Sequence, residues 1–270
     1  VIDMDISCYT PLDVVMTDVQ IISSNSGPRN ISSSVKLDGC NLYLDKWSFQ
    51  DCFREERSAG NILVIQSKLA EGATVEISQF NVTDCGRNEA GPVANLMEFT
   101  IEQGMQISMI NSYFTDCRVS EQKNFMNVDV YLSSMFILQN SVFINVINSI
   151  YISGDSNIYN CEFIGSFQEE QLSYALFLTN GQQNLTEITV QNQSTATVVL
   201  ESEVYWINCE FKENAASQAG GALAVQDAFV SFESCQFSRN RALDDGGAVS
   251  LKHSEAKITN SVFRNNTATF

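Results

Sequence analysis

Apolar and polar residues alternate along most of this chain in short runs, each broken by a bend. The pattern is sharpest near the C-terminal end: Val230-Ser231-Phe232-Glu233, a Ser234-Cys235 interruption, then Gln236-Phe237-Ser238. Alternation on both sides of a two-residue break predicts two short strands, each with one buried face, joined by a sharp corner. The same order returns 26 residues later as Ala256-Lys257-Ile258-Thr259, Asn260-Ser261 and Val262-Phe263-Arg264. A self-similar unit of this length predicts a stacked repeat architecture.

Followed backwards, the unit places Phe49, Val82, Phe114, Phe143, Phe163, Phe211, Phe237 and Phe263 in one column. Seven and five residues before each stands a pair such as Leu42 and Leu44 or Val230 and Phe232; Ser156 and Ile158 form the weakest. Three residues before each stand Lys46, Gln79, Asn111, Asn140, Asn160, Asn208, Ser234 and Asn260. Asn tolerates a left-handed backbone better than other non-glycine residues, so this column predicts a corner in that conformation in every unit. Its amides could also hydrogen-bond up and down the stack. A third strand follows the Phe strand at 62–65, 94–99, 124–130, 148–152 and 175–178, and again after Gly220-Gly221-Ala222 and Gly246-Gly247-Ala248. Three short strands per coil, with like residues in columns, predict an all-β, single-stranded parallel β-helix (a solenoid) with coils about 4.8 Å apart.

The Phe column steps by 33, 32, 29, 20, 48, 26 and 26 residues. The long step holds a polar segment, and the expectation is a loop insertion at about 179–197 within a β-helix spanning 35–270. Residues 1–34 are expected to form an irregular first coil or an adjoining segment. Between Val35 and Leu42 two overlapping registers fit the template.

Composition narrows the function classes. With 44% hydrophobic and 17% charged residues among 270, the chain is expected to fold rather than to be disordered. A formal net charge of −17 makes nucleic acid a poor partner and an anionic membrane surface an unfavourable one. No apolar run reaches the roughly 18–20 residues of a membrane-spanning helix. The chain does not begin with Met, has no signal peptide, and stops where another Gly-Gly-Ala is due; it reads as a processed chain or a piece of a longer one.

Gly-Gly-Ala followed by Phe-x-x-Asn, at Gly220 to Asn240 and Gly246 to Asn266, resembles the repeat of chlamydial-type polymorphic outer membrane proteins. In the earlier coils Gly-Gly-Ala is missing, and Cys52, Cys85 and Cys117 replace the Asn. The resemblance implies a right-handed β-helix with surface, adhesive or structural roles, and it does not imply catalysis.

Eight cysteines invite disulfides. Six fall in two columns, Cys52, Cys85 and Cys117 after the Phe position and Cys161, Cys209 and Cys235 before it. They read either as disulfides between coils or as stacks of buried thiols, the second being favoured because free Cys packs as a small hydrophobe. Five Asn-x-Ser/Thr sequons, at Asn30, Asn81, Asn184, Asn192 and Asn265, are N-glycosylation candidates if the chain enters a eukaryotic secretory route. Asn81 and Asn265 are expected to face solvent, and Asn184 and Asn192 to lie in the loop. No catalytic, cofactor or metal residues are nominated. Asp244-Asp245, Glu55-Glu56 and Glu169-Glu170 are adjacent acids facing opposite ways, one His253 cannot complete a zinc site, and no cofactor fingerprint occurs. Trp47 and Trp206 read as core.

The expectation is therefore a non-catalytic extracellular or cell-surface structural or adhesive protein, possible as a segment or subunit of a filament or coat. Its partners would be itself or neighbouring polypeptide through the β-helix ends, with covalent N-glycans. A carbohydrate-active (lyase or hydrolase) or carbohydrate-binding β-helix is the alternative, and exposed carboxylates gathered in one outer groove would favour it.

Overall fold

The structure, a computed structural model, describes residues 2–8, 13–22, 31–37, 41–50, 63–67, 73–85, 95–102, 104–119, 123–131, 133–165, 174–195 and 197–269. It is all-β, with no helix among the described residues. The chain divides into two compact units, Val1–Ser141 and Val142–Phe270.

In the first unit three parallel ladders recur. One joins Ile2–Cys8, Ile31–Leu37, Leu63–Ser67, Met97–Ile101 and Met126–Val130 in that order. The next joins Asp13–Thr17, Asn41–Asp45, Thr74–Ser78, Gln106–Ile110 and Met135–Gln139. The third joins Gln20–Ile22, Ser48–Gln50, Asn81–Thr83 and Tyr113–Thr115. Each strand pairs with its counterpart one winding away, which makes the unit solenoid-like and consistent with a parallel β-helix. The described strands of the first winding are in register with the next: Ile2 pairs Ile31, Val14 pairs Leu42 and Ile21 pairs Phe49. Of residues 1–34, expected as an irregular first coil or an adjoining segment, the described strands Ile2–Cys8, Asp13–Thr17 and Gln20–Ile22 join the three ladders, and 9–12 and 23–30 lie outside the described residues. The overlap between Val35 and Leu42 resolves too: Val35 pairs Ile65 in the first ladder and Leu42 pairs Val75 in the second.

Within the second unit strands again pair in parallel one winding apart, and three of them are longer, Ser156–Ile164, Leu176–Gln191 and Thr197–Ile207. Leu176–Gln191 is one 16-residue strand, and it corrects the loop expected at 179–197. Its Leu185 and Val190 align with Ile158 and Phe163 on one side and with Trp206 and Phe211 on the other. The 48-residue step therefore hides an additional winding whose Phe position is Val190. The polar composition misled because outward positions Gln182 and Asn184 are exposed while Gln183, Leu185, Ile188 and Val190 are buried. A small separate ladder joins Ala215–Ala216, Arg241–Ala242 and Thr267–Ala268.

The interior is built from the predicted columns. Leu42, Val75, Ile107 and Phe136 are fully buried, as are Leu44, Ile77, Met109 and Leu138 to within 1%. Trp47 and Trp206 are core residues, as expected. In the second unit rings stack directly between windings: Phe143 on Phe163 at 4.8 Å, Phe211 on Phe237 at 4.7 Å and Phe237 on Phe263 at 4.5 Å. Such pairs add about 0.5–1.5 kcal/mol each beyond the area they bury.

Corners decide how the chain stays wound. All eight residues of the Asn-rich column have positive φ, between 49° and 57°, and Asp18 (57°) and Glu187 (58°) hold the same place before Ile21 and Val190. The reason lies in the ladder: the corner amide still bonds to the next winding, as in Gln79 N–H to Ile110 O (3.0 Å) and Asn208 N–H to Glu233 O (3.0 Å). A left-handed residue turns the backbone without breaking that series. Two further left-handed columns went unpredicted. One, Asp84 and Asp116 in the first unit and Asn145, Asn192, Glu213, Arg239 and Asn265 in the second, follows the Phe strand; the other is Asn180, Glu201, Asp227 and His253.

Candidate functional site

At several left-handed corners the following amide points along the stack and is met by a side-chain oxygen one winding later. Ser112 Oγ accepts from Phe80 N–H, Ser141 Oγ from Ser112 N–H and Ser261 Oγ from Cys235 N–H, at 3.0 to 3.3 Å. After the Phe strand Asn does this work. Asn240 Oδ1 accepts both the backbone N–H and the Nδ2 of Asn214, while Asn240 Nδ2 donates to Phe211 O and to Asn266 Oδ1. Asn214 and Asn266 repeat the pattern through Val190 O and Phe237 O. Asn214 and Asn240 are buried to within 1%, so this ladder replaces water for groups that would otherwise be costly to enclose. The amide ladder expected at the outer corners is present at Asn140 and Asn111, 3.2 Å apart.

Two surface features of the second unit are candidates for function. The first is the outer face of its last winding. Leu251, Ile258 and Phe263 are 42–53% exposed there although Val225, Phe232 and Phe237, their partners one winding earlier, are buried; Val262, 51% exposed, follows the exposed Gln236. With Phe232, Ala248, Val249 and Asn266, three of them (Leu251, Ile258 and Phe263) line an apolar hollow of about 400 Å³.

The second feature is a shallow groove of about 600 Å³ along the corner column, lined by Gln182, Glu201, Glu203, Asp227, Phe229, His253 and Glu255 among others. Register explains the clustering, since Glu203, Phe229 and Glu255 occupy one outward position in successive windings. His253 Nδ1 lies 3.5 Å from Asp227 Oδ1, an ion pair only when the imidazole is protonated. Tyr205 packs on Phe229 at 5.9 Å and donates its hydroxyl to Glu203 Oε2 at 3.3 Å. Desolvation, and then the Glu203 charge, push that hydroxyl above the ordinary tyrosine value.

Sequence-predicted residues fall as follows. Asn81 and Asn265 face solvent, as expected. Asn184 is exposed but sits in the long strand, where its Nδ2 donates to Asn157 Oδ1 at 3.0 Å. Asn192 is at a left-handed corner with its Oδ1 buried and without a partner among the described residues. Asn30, Cys52, Glu55, Glu56, Glu169 and Glu170 lie outside the described residues. Cys85, Cys117, Cys161, Cys209 and Cys235 are buried thiols. The second cysteine column is not three in a row, because Ile188 aligns with Cys161 and separates it from Cys209. Burial pushes the Cys209 thiol well above the ordinary thiol value, and the hydrogen bond between the two sulfurs lowers that of Cys235. Asp244 and Asp245 are exposed in the turn before Gly246, and His253 is exposed at its corner.

Elsewhere, burial raises the Asp129 carboxyl against the lowering effect of Asn127, and burial followed by the nearby Tyr151 raises the Tyr174 hydroxyl. Among the described residues no group of three or more His, Cys, Asp or Glu could hold a metal ion. No helix there is long and apolar enough to cross a membrane.

No protein-family model matches the chain, and no curated protein matches it. The resemblance to polymorphic outer membrane protein repeats therefore has no family match behind it and rests on residues 220–240 and 246–266 alone.

Proposed function

We propose that this chain is a non-catalytic structural or adhesive segment of an extracellular surface protein, wound as a right-handed single-stranded parallel β-helix. The observation that carries the reading is the stack itself: ring lies on ring through Phe211, Phe237 and Phe263, and carboxamide bonds to carboxamide through Asn214, Asn240 and Asn266. Windings held to their neighbours in this way present a long repetitive outer surface, which suits a structural or adhesive segment of a filament or coat. The exposed sequons Asn81, Asn184 and Asn265 supply attachment points for N-glycans on this reading.

Native mass and electron imaging of the purified chain test it: assemblies larger than the 30.0 kDa chain are expected, and a capped monomer overturns the assembly role. Intact mass before and after glycosidase treatment tests the secretory route.

The acidic groove favours a second reading, a carbohydrate-binding face in which Phe229, backed by Tyr205, supplies apolar contact and Glu201, Glu203, Asp227 and Glu255 accept hydroxyl hydrogen bonds. Binding to a glycan array that Asp227→Asn and Phe229→Ala both abolish supports it, and no binding by the intact chain removes it.

A further inference from the structure

Two of the buried thiols are placed to react with each other. Gln236 N–H donates to Cys209 O at 2.8 Å and Asn208 N–H to Glu233 O at 3.0 Å, so Cys209 and Cys235 stand opposite one another in successive windings. Strand spacing sets such Cα atoms about 4.8 Å apart, inside the range of about 4.4–6.8 Å that a disulfide spans. Cys235 Sγ reaches Trp206 O, on the winding that carries Cys209, at 3.4 Å, and the two sulfurs are hydrogen-bonded to each other.

The column leaves this pair no competitor. Before Cys209 it holds Ile188, which separates that thiol from Cys161. After Cys235 it holds Ser261, whose hydroxyl accepts from the Cys235 amide. The other cysteine column is less selective, because Cys52, Cys85 and Cys117 follow one another along the sequence and allow two connectivities. Among the described cysteines, Cys209 and Cys235 therefore have one partner each within reach.

Burial decides when they react. Cys209 is 2% and Cys235 0% exposed, and an oxidant needs a thiolate that it can touch. Reaction therefore belongs to the chain as it folds, or to a locally opened winding. Once closed, the bond has no charge to bury and is sheltered from external thiols.

We propose that Cys209 and Cys235 close into a disulfide when the chain folds in the presence of a disulfide oxidant such as oxidised glutathione, tying two windings of the second unit together. In the open chain the Cys235 thiolate attacks one sulfur of the oxidant, and the other half leaves as a thiolate. The Cys209 thiolate then attacks the Cys235 sulfur of that mixed disulfide and expels the remaining half. Each cysteine gives up one proton, the two leaving thiolates take up two, and two electrons pass to the oxidant. The bond turns one winding into a covalent ring, which removes freedom from the unfolded chain while the folded chain keeps its register. This chemistry needs the oxidant alone and holds whatever the surface role of the chain.

The full chain, unfolded in urea with reductant, is refolded into a buffer of reduced and oxidised glutathione, and a native sample that is never unfolded stands in the same buffer. Free thiols are alkylated and the peptides mapped by mass spectrometry before and after reduction. A linked Cys209–Cys235 peptide is expected from the refolded chain, forming about tenfold or more slowly in the native sample. The oxidised chain should melt about 5–10 °C above the reduced one. Cys209→Ser and Cys235→Ser chains, oxidised in the same way, should each show no such gain over their own reduced forms, which separates this bond from any made by Cys85 or Cys117. Alkylation of both residues in both samples overturns the proposal. A lasting glutathione adduct on either residue, or a bond from either to a third cysteine, overturns it too. So does a linked chain that melts no higher than the reduced one. Where refolding is incomplete, the native sample decides alone.

Discussion

At the scale of single residues, the corners and the buried carboxamides carry the specificity. A left-handed backbone costs an ordinary L-residue about 1–2 kcal/mol, and Asn less. Gln79 has a φ of 52° at a position where Asn111 and Asn140 stand in the following windings. Gln79→Asn is therefore expected to stabilise the chain by about 0.5–1 kcal/mol in urea denaturation, whereas Asn111→Val should cost about 1–2 kcal/mol. Asn240 presents the opposite case. Asn240→Ala strands the Asn214 amide and carboxamide and the Phe211 carbonyl inside the unit, and a loss of about 2–4 kcal/mol is expected in the same assay.

At the scale of strands, identical side chains differ in worth by position in the stack. Phe237 is covered on both faces and fully buried, so Phe237→Ala should cost about 3–5 kcal/mol. Phe263 belongs to the same column yet is 42% exposed, and Phe263→Ala should cost less than half as much until something covers it. The long strand Leu176–Gln191 offers a sharper check. One residue inserted between Leu185 and Thr186 moves Ile188 and Val190 to the outer face, because a single-residue slip reverses every following side chain. Loss of cooperative melting by circular dichroism is expected. An insertion tolerated there would restore the loop that polar composition suggests.

At the scale of the whole molecule, charge is the one global property that the sequence states outright. A formal net charge of −17 sets like charges against one another across adjacent windings, as at Glu201 and Asp227. Those charges are exposed, so salt should screen them. Raising NaCl from low to physiological concentration is expected to lift the melting temperature by about 2–5 °C, read by differential scanning calorimetry. Unchanged melting would mean that the acids are too far apart or too well hydrated to repel.

Alternation, the Phe column and the Asn-rich corner column were determined by the sequence alone, since each follows from a local rule: period two for a half-buried strand, and a small polar residue where φ is positive. The pairing of Cys209 with Cys235, the Asn214–Asn240–Asn266 ladder as a bonded unit, and the groove along Glu201 and Asp227 were decided only by tertiary structure. Their partners lie a whole winding apart, and the windings differ in length, so spacing along the chain does not report which residues meet. Val190 is the instructive case: as a Val amid polar neighbours it carries no local mark of the Phe column, and only its alignment between Phe163 and Phe211 shows where it belongs.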